Sequence, residues 1–294
     1  MQTLSEYLKR RYGKKLYKIS INAGLTCPNR DGTIGSRGCI FCSGTGSGDF
    51  AGDPGQSITE QIMSGKQRVK NKLPKSDHGY IAYFQAFTNT YGPVKKLEKM
   101  YMEAAMNEDI EIISIATRPD CLPDDVLDLI SRVNRIKPVW IELGLQTIHE
   151  KTAEYIRRGY PLSVYDEAVH KLRERRIETI VHVILGLPGE TKEDMLRTVR
   201  YVGESGVQGI KLQLLHVLKG TDLADDYMAG EFTCLGMEEY ADLIHDALTV
   251  LPENMVIHRM TGDGDKKFLI APEWSKDKKR VLNLLKSKLG EYYQ

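Results

Sequence analysis

The sequence has no long apolar segment and almost no net charge. It contains no run of about 18 apolar residues, so we expect no segment that spans a membrane. Its start, Met1 to Arg11, is charged and lacks the apolar stretch of a signal peptide. The net charge is +1, so any binding of nucleic acid must come from local patches. These absences exclude membrane-spanning and secreted classes and predict a cytoplasmic protein.

Cysteine is scarce, and its spacing is uneven. Of the five cysteines, three lie within sixteen residues, at Cys27, Cys39 and Cys42. An odd number with this spacing makes a poor disulfide framework, whereas it suits a metal site in a reducing compartment. Cys121 and Cys234 stand alone, and we assign them no role beyond that of small buried hydrophobic residues.

Stretches rich in Ile, Val and Tyr alternate with helix-like stretches along the chain. The hydrophobic content of 41% is enough for a sizeable core. Helices are predicted between the strands, with caps at Ser57 and Thr191, and an amphipathic helix is predicted over residues 276–289. The predicted strands cover residues 16–22, 80–86, 110–116, 139–143, 179–185, 209–215 and 255–259.

Strands that alternate with helices imply right-handed βαβ units on a parallel sheet. Seven strands are too many for half of a dinucleotide-binding fold and one short of a complete eight-stranded barrel. We therefore predict an α/β fold: a partial (β/α)6 TIM-like barrel over residues 1–260, with a C-terminal extension over residues 261–294. Active residues are then expected in the loops after the strands, at the C-terminal mouth.

The strongest chemical signal is a glycine-rich loop over residues 23–55, directly after the first strand. It carries the three clustered cysteines in the spacing C-x11-C-x2-C. An iron–sulfur cluster is usually held by four thiolates, so three leave one iron free to bind a substrate or cofactor. The spacing predicts a [4Fe–4S] cluster on Cys27, Cys39 and Cys42. Phe41 can shield this cluster or face an adenine ring.

Two other interpretations of these cysteines stay open. A structural zinc site needs four ligands, and the loop has no histidine, although Cys121 could supply a distant fourth sulfur. The three thiols could also be incidental. The loop glycines allow the backbone to approach a cluster closely, but they would equally build a flexible loop.

The segments Cys27-Pro28-Asn29-Arg30-Asp31-Gly32 and Cys39-Ile40-Phe41-Cys42 resemble the radical S-adenosylmethionine superfamily. The usual motif there is C-x3-C-x2-C. The longer spacing is similar to that of the YhcC/YtqA-type (MnmL) subgroup, which is related to the Elongator catalytic subunit and the oxygen-independent coproporphyrinogen oxidases. The resemblance, from Tyr12 to about Trp274, implies that the cluster splits S-adenosylmethionine to a 5′-deoxyadenosyl radical, which takes a hydrogen atom from the substrate.

The resemblance places cofactor contacts at the ends of the second and third strands. Gln85, Thr88 and Asn89 offer acceptor oxygens where relatives bind the methionyl amine, although the usual Gly-Gly-Glu is absent. Thr88 and Asn89 could instead be turn residues. Arg118 lies in a stretch that lines the cofactor and substrate side in relatives, or it simply precedes a helix.

The fourth strand adds two polar candidates. Glu142 interrupts an otherwise apolar strand, and a buried carboxylate needs partners. The resemblance assigns Glu142 to the ribose hydroxyls, whereas a salt bridge, for example to Arg118, is the structural alternative. Gln146 is a second polar residue at the same mouth.

Two further stretches complete the predicted cofactor site. The resemblance puts an Arg-Gly pair against the methionyl carboxylate, which arginine can bind in bidentate fashion. Arg158 matches that pair and Arg157 is its neighbour, although either could lie at the surface. Ile184, Gly186 and Leu187 end the fifth strand and are expected to contact the adenine.

The substrate side is expected at the last two strands. His216 and Lys219 follow the sixth strand, and Arg259 ends the seventh, within a polar segment that also contains Asp263. These cations could bind an anionic substrate, or they could be structural hydrogen-bonding groups. With Arg118 they are the candidates on the substrate side, and no catalytic residue is assigned.

The resemblance implies tRNA as the partner, with conversion of 5-carboxymethylaminomethyluridine to 5-aminomethyluridine at the wobble position, and an electron donor such as flavodoxin or ferredoxin. Basic residues over 9–15 and 276–288 could contact phosphates, or they could be ordinary solvated helix faces. Two alternatives stay open. One is a radical enzyme that acts on a small molecule such as a porphyrin carboxylate, and the other is a non-catalytic zinc or iron–sulfur protein.

Overall fold

Eight parallel strands form the central sheet of the computed structural model, which describes residues 2–46, 48, 50–72, 77–262 and 264–290. Two further short strands form a separate antiparallel pair. The strands are β1 (Gln2–Thr3), β2 (Lys15–Ile21), β3 (His78–Phe84), β4 (Ile110–Thr117), β5 (Val139–Gln146), β6 (Glu178–Leu185), β7 (Gly209–Leu214), β8 (Val217–Leu218), β9 (Val256–Arg259) and β10 (Leu269–Ala271).

The strand order makes the sheet an open barrel. Neighbours follow one another as β1-β9-β7-β6-β5-β4-β3-β2. Within the described ranges β1 and β2 are the two edges, and they do not pair with each other. The predicted partial barrel is therefore confirmed, with β2 to β7 as its six strands. The prediction missed β1, β8 and β10, because two or three residues are too few to show a periodic pattern.

Helices cover the outside of the sheet. Those over 58–69 and 192–204 begin with capping boxes, in which Ser57 and Thr191 exchange hydrogen bonds with Glu60 and Asp194, as predicted. None of the described helices is long and apolar enough to cross a membrane. The helices are α1 (Leu4–Tyr12), α2 (Ile58–Val69), α3 (Val94–Ala105), α4 (Asp124–Asn134), α5 (Glu150–Tyr155), α6 (Leu162–Glu174), α7 (Lys192–Glu204), α8 (Asp222–Met228), α9 (Met237–Thr249) and α10 (Lys278–Leu289).

The two faces of the barrel strands have different chemistry because side chains alternate along a strand. On β5, Ile141 and Leu143 are fully buried in the main core beneath the helices. Glu142, between them, points to the barrel interior instead. The same alternation separates Ile210 and Leu212 from Lys211 on β7. The interior is therefore polar at the level of Glu142 and Lys211, and an apolar cluster that contains Ile112, Trp140 and Ile180 lies below it on the same strand faces.

The C-terminal residues pack against the barrel. Strand β10 pairs with β8, and the Lys219 backbone N–H donates to the Phe268 carbonyl at 2.7 Å. Helix α10 packs on α9 and buries Leu285 completely. The division of the chain near residue 260 into a barrel and an extension stays a prediction.

Gly65 of α2 tests how tightly the helices pack on the sheet. A Cβ at this position would lie 2.3 Å from Ile19 Cγ2, which is on β2. Alanine normally improves a helix interior by about 1 kcal/mol relative to glycine. Here we expect Gly65→Ala to lower the free energy of unfolding by roughly 1–2 kcal/mol, because overpacking outweighs helix propensity. Urea unfolding measures this change. The matched control is Ser64→Ala at the neighbouring exposed position, and equal stability of the two variants would contradict the expected packing.

Candidate active site

Three cysteine side chains open onto one cavity at the C-terminal ends of the barrel strands. The loop leaves β2 and turns at Cys27, whose carbonyl accepts from the backbone N–H groups of Arg30 at 2.8 Å and Asp31 at 3.2 Å. A second turn joins Cys42 to Cys39, with an N–H to carbonyl distance of 3.0 Å. All three cysteines line a cavity of about 210 Å³, here called the inner cavity. Their expected position at the barrel mouth is observed.

Backbone hydrogen bonds anchor this loop to the strand ends. The Ile40 N–H donates to the Ile156 carbonyl at 3.3 Å, and the Phe87 N–H donates to the Gly46 carbonyl at 2.9 Å. Gly46 has a φ of 60°, and a Cβ there would lie 2.3 Å from the Phe87 ring. Glycine is therefore required where the loop meets β3. Two residues of the predicted loop, Ser47 and Asp49, lie outside the described residues.

Cys27, Cys39 and Cys42 supply the three thiols that a cluster with one open iron requires. Within the part of the chain that the structure describes, no group of three His, Cys, Asp or Glu side chains is close enough to hold one ion. Cluster thiolates lie farther apart than the ligands of one zinc ion, because each binds a different iron. Cys121 does not line the inner cavity, so the structure does not support it as a fourth ligand.

The remaining cysteines lie away from the inner cavity, as small apolar residues. Cys121 is 6% exposed and lines a groove of about 1010 Å³ outside the barrel, to which none of the three clustered thiols contributes. Cys234 is partly buried beside an apolar cluster that contains Ile40. Burial raises the pKa of the Cys234 thiol to about 11.

Cys39 lies where its thiolate needs positive partners. Burial raises the pKa of Cys39 to about 11 and neighbouring Cys42 adds to the rise, while the Arg118 guanidinium opposes it. Arg118 lines the inner cavity, and its guanidinium donates two hydrogen bonds, of 2.9 and 2.8 Å, to the Asp120 carboxylate. Its guanidinium also lies 5.1 Å from the centre of the Tyr160 ring. The site therefore provides a fixed cation close to a predicted ligand.

Glu142 lies at the floor of the inner cavity, and each of its carboxylate oxygens already has two partners within the protein. One oxygen accepts from Ser114 Oγ at 2.6 Å and Lys18 Nζ at 2.8 Å, and the other contacts His182 Nε2 at 2.8 Å and Lys211 Nζ. Burial raises the pKa of Glu142, but the two lysines and His182 hold it well below its ordinary value. The structural alternative, a salt bridge of Glu142, is therefore formed, with these lysines rather than with Arg118.

Lys211 is the least solvated of these cations. Its side chain is 5% exposed, and its ammonium lies 4.7 Å from the centre of the Tyr83 ring, which Lys18 contacts at 4.6 Å. Burial lowers the pKa of Lys211 well below its ordinary value, Lys18 and Arg259 add to this, and Glu142 opposes it. The floor thus gathers several cations around one carboxylate.

Gln146 offers the inner cavity an acceptor that the protein leaves open. It ends β5 with a φ of 70°, a conformation that is strained for a residue other than glycine. Its Oε1 atom is buried and has no hydrogen-bond partner in the structure. Because buried acceptors are normally paired, this atom points to a missing donor. Of the two polar candidates on β5, Gln146 rather than Glu142 can accept a hydrogen bond from a ligand.

The three candidates after β3 separate in the structure. Gln85 and Thr88 line the inner cavity. Asn89 does not, and its amide instead donates to the carbonyls of Phe84 at 3.1 Å and Ala116 at 3.0 Å. Asn89 therefore ties the end of β3 to β4. Asn89 is fully buried and does not line the inner cavity, which agrees with a structural role.

The two predicted arginines point away from each other. Arg157 has a φ of 56° and pairs with Asp222, outside the inner cavity. Arg158 lines that cavity but is 2% exposed, and its guanidinium donates to the carbonyls of Thr147 at 2.6 Å and Tyr160 at 3.0 Å. Arg118 is thus a better placed cation for a ligand carboxylate than either of these.

The three residues at the end of β6 also separate. Ile184 lines the inner cavity, beside Phe41. Gly186 has a φ of 91°, and a Cβ there would lie 3.1 Å from the Leu235 side chain. Leu187 is 2% exposed. Gly186 and Leu187 line neither this cavity nor its neighbour, so of the three only Ile184 reaches the site surface.

A second cavity of about 140 Å³, here called the outer cavity, adjoins the inner one. His216 and Arg259 line it, whereas Lys219 is exposed and lines neither cavity. Asp263 of the same predicted segment lies outside the described residues. The two cavities share a wall formed by Phe41, Gln85, Ile184, Gln213 and Arg259.

Several residues of the inner cavity were not predicted from the sequence. Lys211 and Gln213 alternate with apolar residues on β7, which could have shown that both point into the barrel. Arg30 of the cysteine segment donates to the carbonyls of Cys42 at 2.9 Å and Ser43 at 2.7 Å. No local pattern shows that contact, because it depends on how the loop folds back.

An open parallel barrel with three thiols at the carboxyl ends of its strands defines the class to which this fold and site belong. The family model "Radical SAM superfamily" matches residues 29–202, and the model "Radical_SAM C-terminal domain" matches residues 207–291. The chain belongs to the radical S-adenosylmethionine superfamily and is a radical enzyme of that type. Membership implies a [4Fe–4S] cluster and S-adenosylmethionine as cofactors, together with a source of electrons.

Three similar proteins refine this assignment. The chain is 44% identical to the "Uncharacterized protein YtqA" of Bacillus subtilis, over 99% of this chain and 92% of that protein. It is 23% identical to a "tRNA uridine(34) acetyltransferase" of Methanocaldococcus jannaschii, over 76% of this chain but only 48% of that protein. The structure of Elp3 from Methanocaldococcus infernus superposes with a TM-score of 0.68 at 15% identity, over 94% of this chain and 63% of that one, which supports the fold.

The largely buried side chain of His182 makes the stability of the folded protein depend on pH. Burial lowers its pKa from 6.5 to about 4, Lys211 adds to this, and Glu142 opposes it. Between pH 6.5 and 4, His182 is therefore protonated in the unfolded chain but neutral in the folded one. The free energy of unfolding decreases as the pH falls through this range. In urea unfolding, we expect any stability advantage of the wild-type apoprotein over His182→Gln to shrink across this range. His170→Gln, which removes an exposed imidazole, should not reproduce the change, and a constant difference for His182→Gln would contradict it.

Proposed function

We propose that the protein modifies the wobble uridine of tRNA, converting 5-carboxymethylaminomethyluridine to 5-aminomethyluridine. When bound, the cluster and S-adenosylmethionine would supply the radical chemistry for this conversion, and the residues of the site would orient the substrate side group towards them. Flavodoxin or ferredoxin is the proposed electron donor. The observation that carries this proposal is the wall shared by the two cavities, which has a cation, Arg259, and opens on one side to the cysteines.

The shared wall favours a substrate that approaches from the outer cavity. The three cysteines line only the inner cavity, whereas His216 lines only the outer one. A cofactor in the inner cavity and a substrate in the outer cavity would therefore meet across the shared wall, whose polar residues are Gln85, Gln213 and Arg259. These residues are the proposed contacts between cofactor and substrate.

The charge of the lining favours an anionic side group. Five basic residues and one carboxylate line the inner cavity: Arg30, Arg118, Arg158, Lys211, Arg259 and Glu142. Asp120 pairs with Arg118, Glu150 with Arg158 and Glu142 with Lys211. Among the described residues that line the outer cavity, Arg259 is a cation and none is a carboxylate. The planar guanidinium of Arg259 offers N–H donors in the geometry that a substrate carboxylate can accept from.

The cofactor side follows from the same geometry. Cys27, Cys39 and Cys42 are the proposed ligands of the cluster, which supplies the electron that cleaves S-adenosylmethionine when both are bound. We assign the open acceptor of Gln146 to a hydroxyl or amino group of that cofactor. Arg118 is the proposed partner of its carboxylate. These residues orient the cofactor, and Phe41 and Ile184 help to exclude water from it.

The proposal of a tRNA substrate rests on similarity to a known protein. The basic residues near the N-terminus do not add to it. A relative over three quarters of this chain is named for uridine 34 of tRNA. Lys14 and Arg11 pair with Glu111 and Glu178. They precede β2 and so lie at the barrel end opposite the mouth, where they cannot contact a nucleotide in the site. Contacts at the mouth itself are therefore the proposed source of specificity.

Transfer RNA that carries the carboxymethylaminomethyl group provides the direct test. Anaerobically reconstituted protein receives dithionite, S-adenosylmethionine and this tRNA, and mass spectrometry follows 5′-deoxyadenosine and the digested nucleosides. We expect 5′-deoxyadenosine together with conversion of the nucleoside to its aminomethyl form. Formation of 5′-deoxyadenosine with an unchanged nucleoside would refute the tRNA substrate, and activity with coproporphyrinogen instead would favour a small-molecule enzyme.

Two variants separate the substrate site from general surface charge in the same assay. Arg259→Gln should lower turnover on the order of 30- to 1,000-fold, because the loss of one partner of a charge pair that substrate binding removes from water costs about 2–4 kcal/mol. Lys219→Gln is the matched control, since Lys219 is exposed and lines neither cavity. Equal activity of both variants would count against Arg259 as a substrate contact.

A further inference from the structure

Asn29 lies between the cysteines in an unusually constrained position. It follows Cys27 by two residues and is 4% exposed. Its backbone carbonyl accepts from the Gly38 N–H at 2.7 Å, which brings the segment before Cys39 back against it. This turn places the Asn29 side chain beside Cys39, the second cysteine.

The amide nitrogen of Asn29 has two neighbours and two hydrogens. Nδ2 lies 2.6 Å from the Arg157 carbonyl oxygen and 3.5 Å from Cys39 Sγ. The larger radius of sulfur makes 3.5 Å a hydrogen-bonding distance for an N–H donor. Each hydrogen can thus serve one acceptor, so the side chain links the bend after α5 to the cysteine.

The orientation of this amide is fixed by its surroundings. The Arg157 carbonyl can only accept, so a flipped amide would place two oxygens in contact. Arg157 holds this carbonyl in place with a φ of 56°, a strained conformation for a residue with a side chain. Gly159 leaves room for the amide, because a Cβ there would lie 3.0 Å from Asn29 Oδ1. The nitrogen must therefore face the sulfur.

Hydrogen bonds to the sulfur ligands raise the reduction potential of an iron–sulfur cluster, because they stabilise the extra electron. We infer that Asn29 is a positioning residue that donates to the Cys39 sulfur and raises the potential of the cluster, so that a cellular donor can reduce it more easily. This inference depends on the cluster alone and not on the identity of the substrate. It therefore goes beyond the proposed function and can fail independently of it.

The reduction potential of the reconstituted protein tests the inference without any substrate. Iron and sulfide content is measured first, and a redox titration followed by electron paramagnetic resonance then gives the midpoint. We expect Asn29→Ala to retain the cluster and to titrate at a lower potential. At a fixed potential, its ratio of reduced to oxidised cluster should fall on the order of tenfold.

Asn22→Ala is the matched control. The Asn22 side chain caps the start of the same loop by accepting from the Gly24 N–H at 3.1 Å. Asn22→Ala should leave the midpoint unchanged, because the Asn22 side chain bonds to backbone rather than to sulfur. A wild-type midpoint in Asn29→Ala, with full iron content, would overturn the inference. If that variant does not retain iron, Asn29→Leu, which has a similar shape and no N–H donor, is read in the same way.

Discussion

The barrel interior is organised around one buried carboxylate. Glu142 of β5 is bonded by side chains from β2, β4, β6 and β7, so a single charge joins five of the six barrel strands. A buried carboxylate without such partners would be strongly destabilising, and removal of one partner leaves the others uncompensated. The position of this network fixes the floor of the inner cavity. The same network limits how far the inner cavity extends beneath the cysteine loop.

The mouth of the barrel owes its chemistry to loops that fold back over this floor. The carboxyl ends of the parallel strands converge there, which brings Cys39 after β2 close to Arg118 after β4. The cavity that results is basic on most sides and opens through Arg259 to a second one. Thiolates, an acceptor on Gln146 and a fixed guanidinium thus face one small volume. This arrangement suits a charged cofactor on one side and an anionic substrate on the other.

The sequence predicted what depends on local pattern and missed what depends on tertiary packing. Periodicity and turn signals placed seven strands of the central sheet and the caps at Ser57 and Thr191, and cysteine spacing located the loop. The directions of neighbouring side chains could not be predicted. Arg157 takes a left-handed conformation and turns outward to Asp222, whereas Arg158 turns inward. The partners of Glu142 were missed for the same reason, because Lys18 and Lys211 are distant from it in sequence and meet it only through the curvature of the sheet.

The central claim is that three thiolates hold four irons and leave one of them open. Mössbauer spectroscopy of protein reconstituted with ⁵⁷Fe, recorded with and without S-adenosylmethionine, tests this claim most directly. The account predicts a [4Fe–4S] signal in which one iron of the four changes its isomer shift when the cofactor is added. A signal that does not respond to the cofactor, or a protein that carries tetrahedral zinc in place of iron, would contradict it.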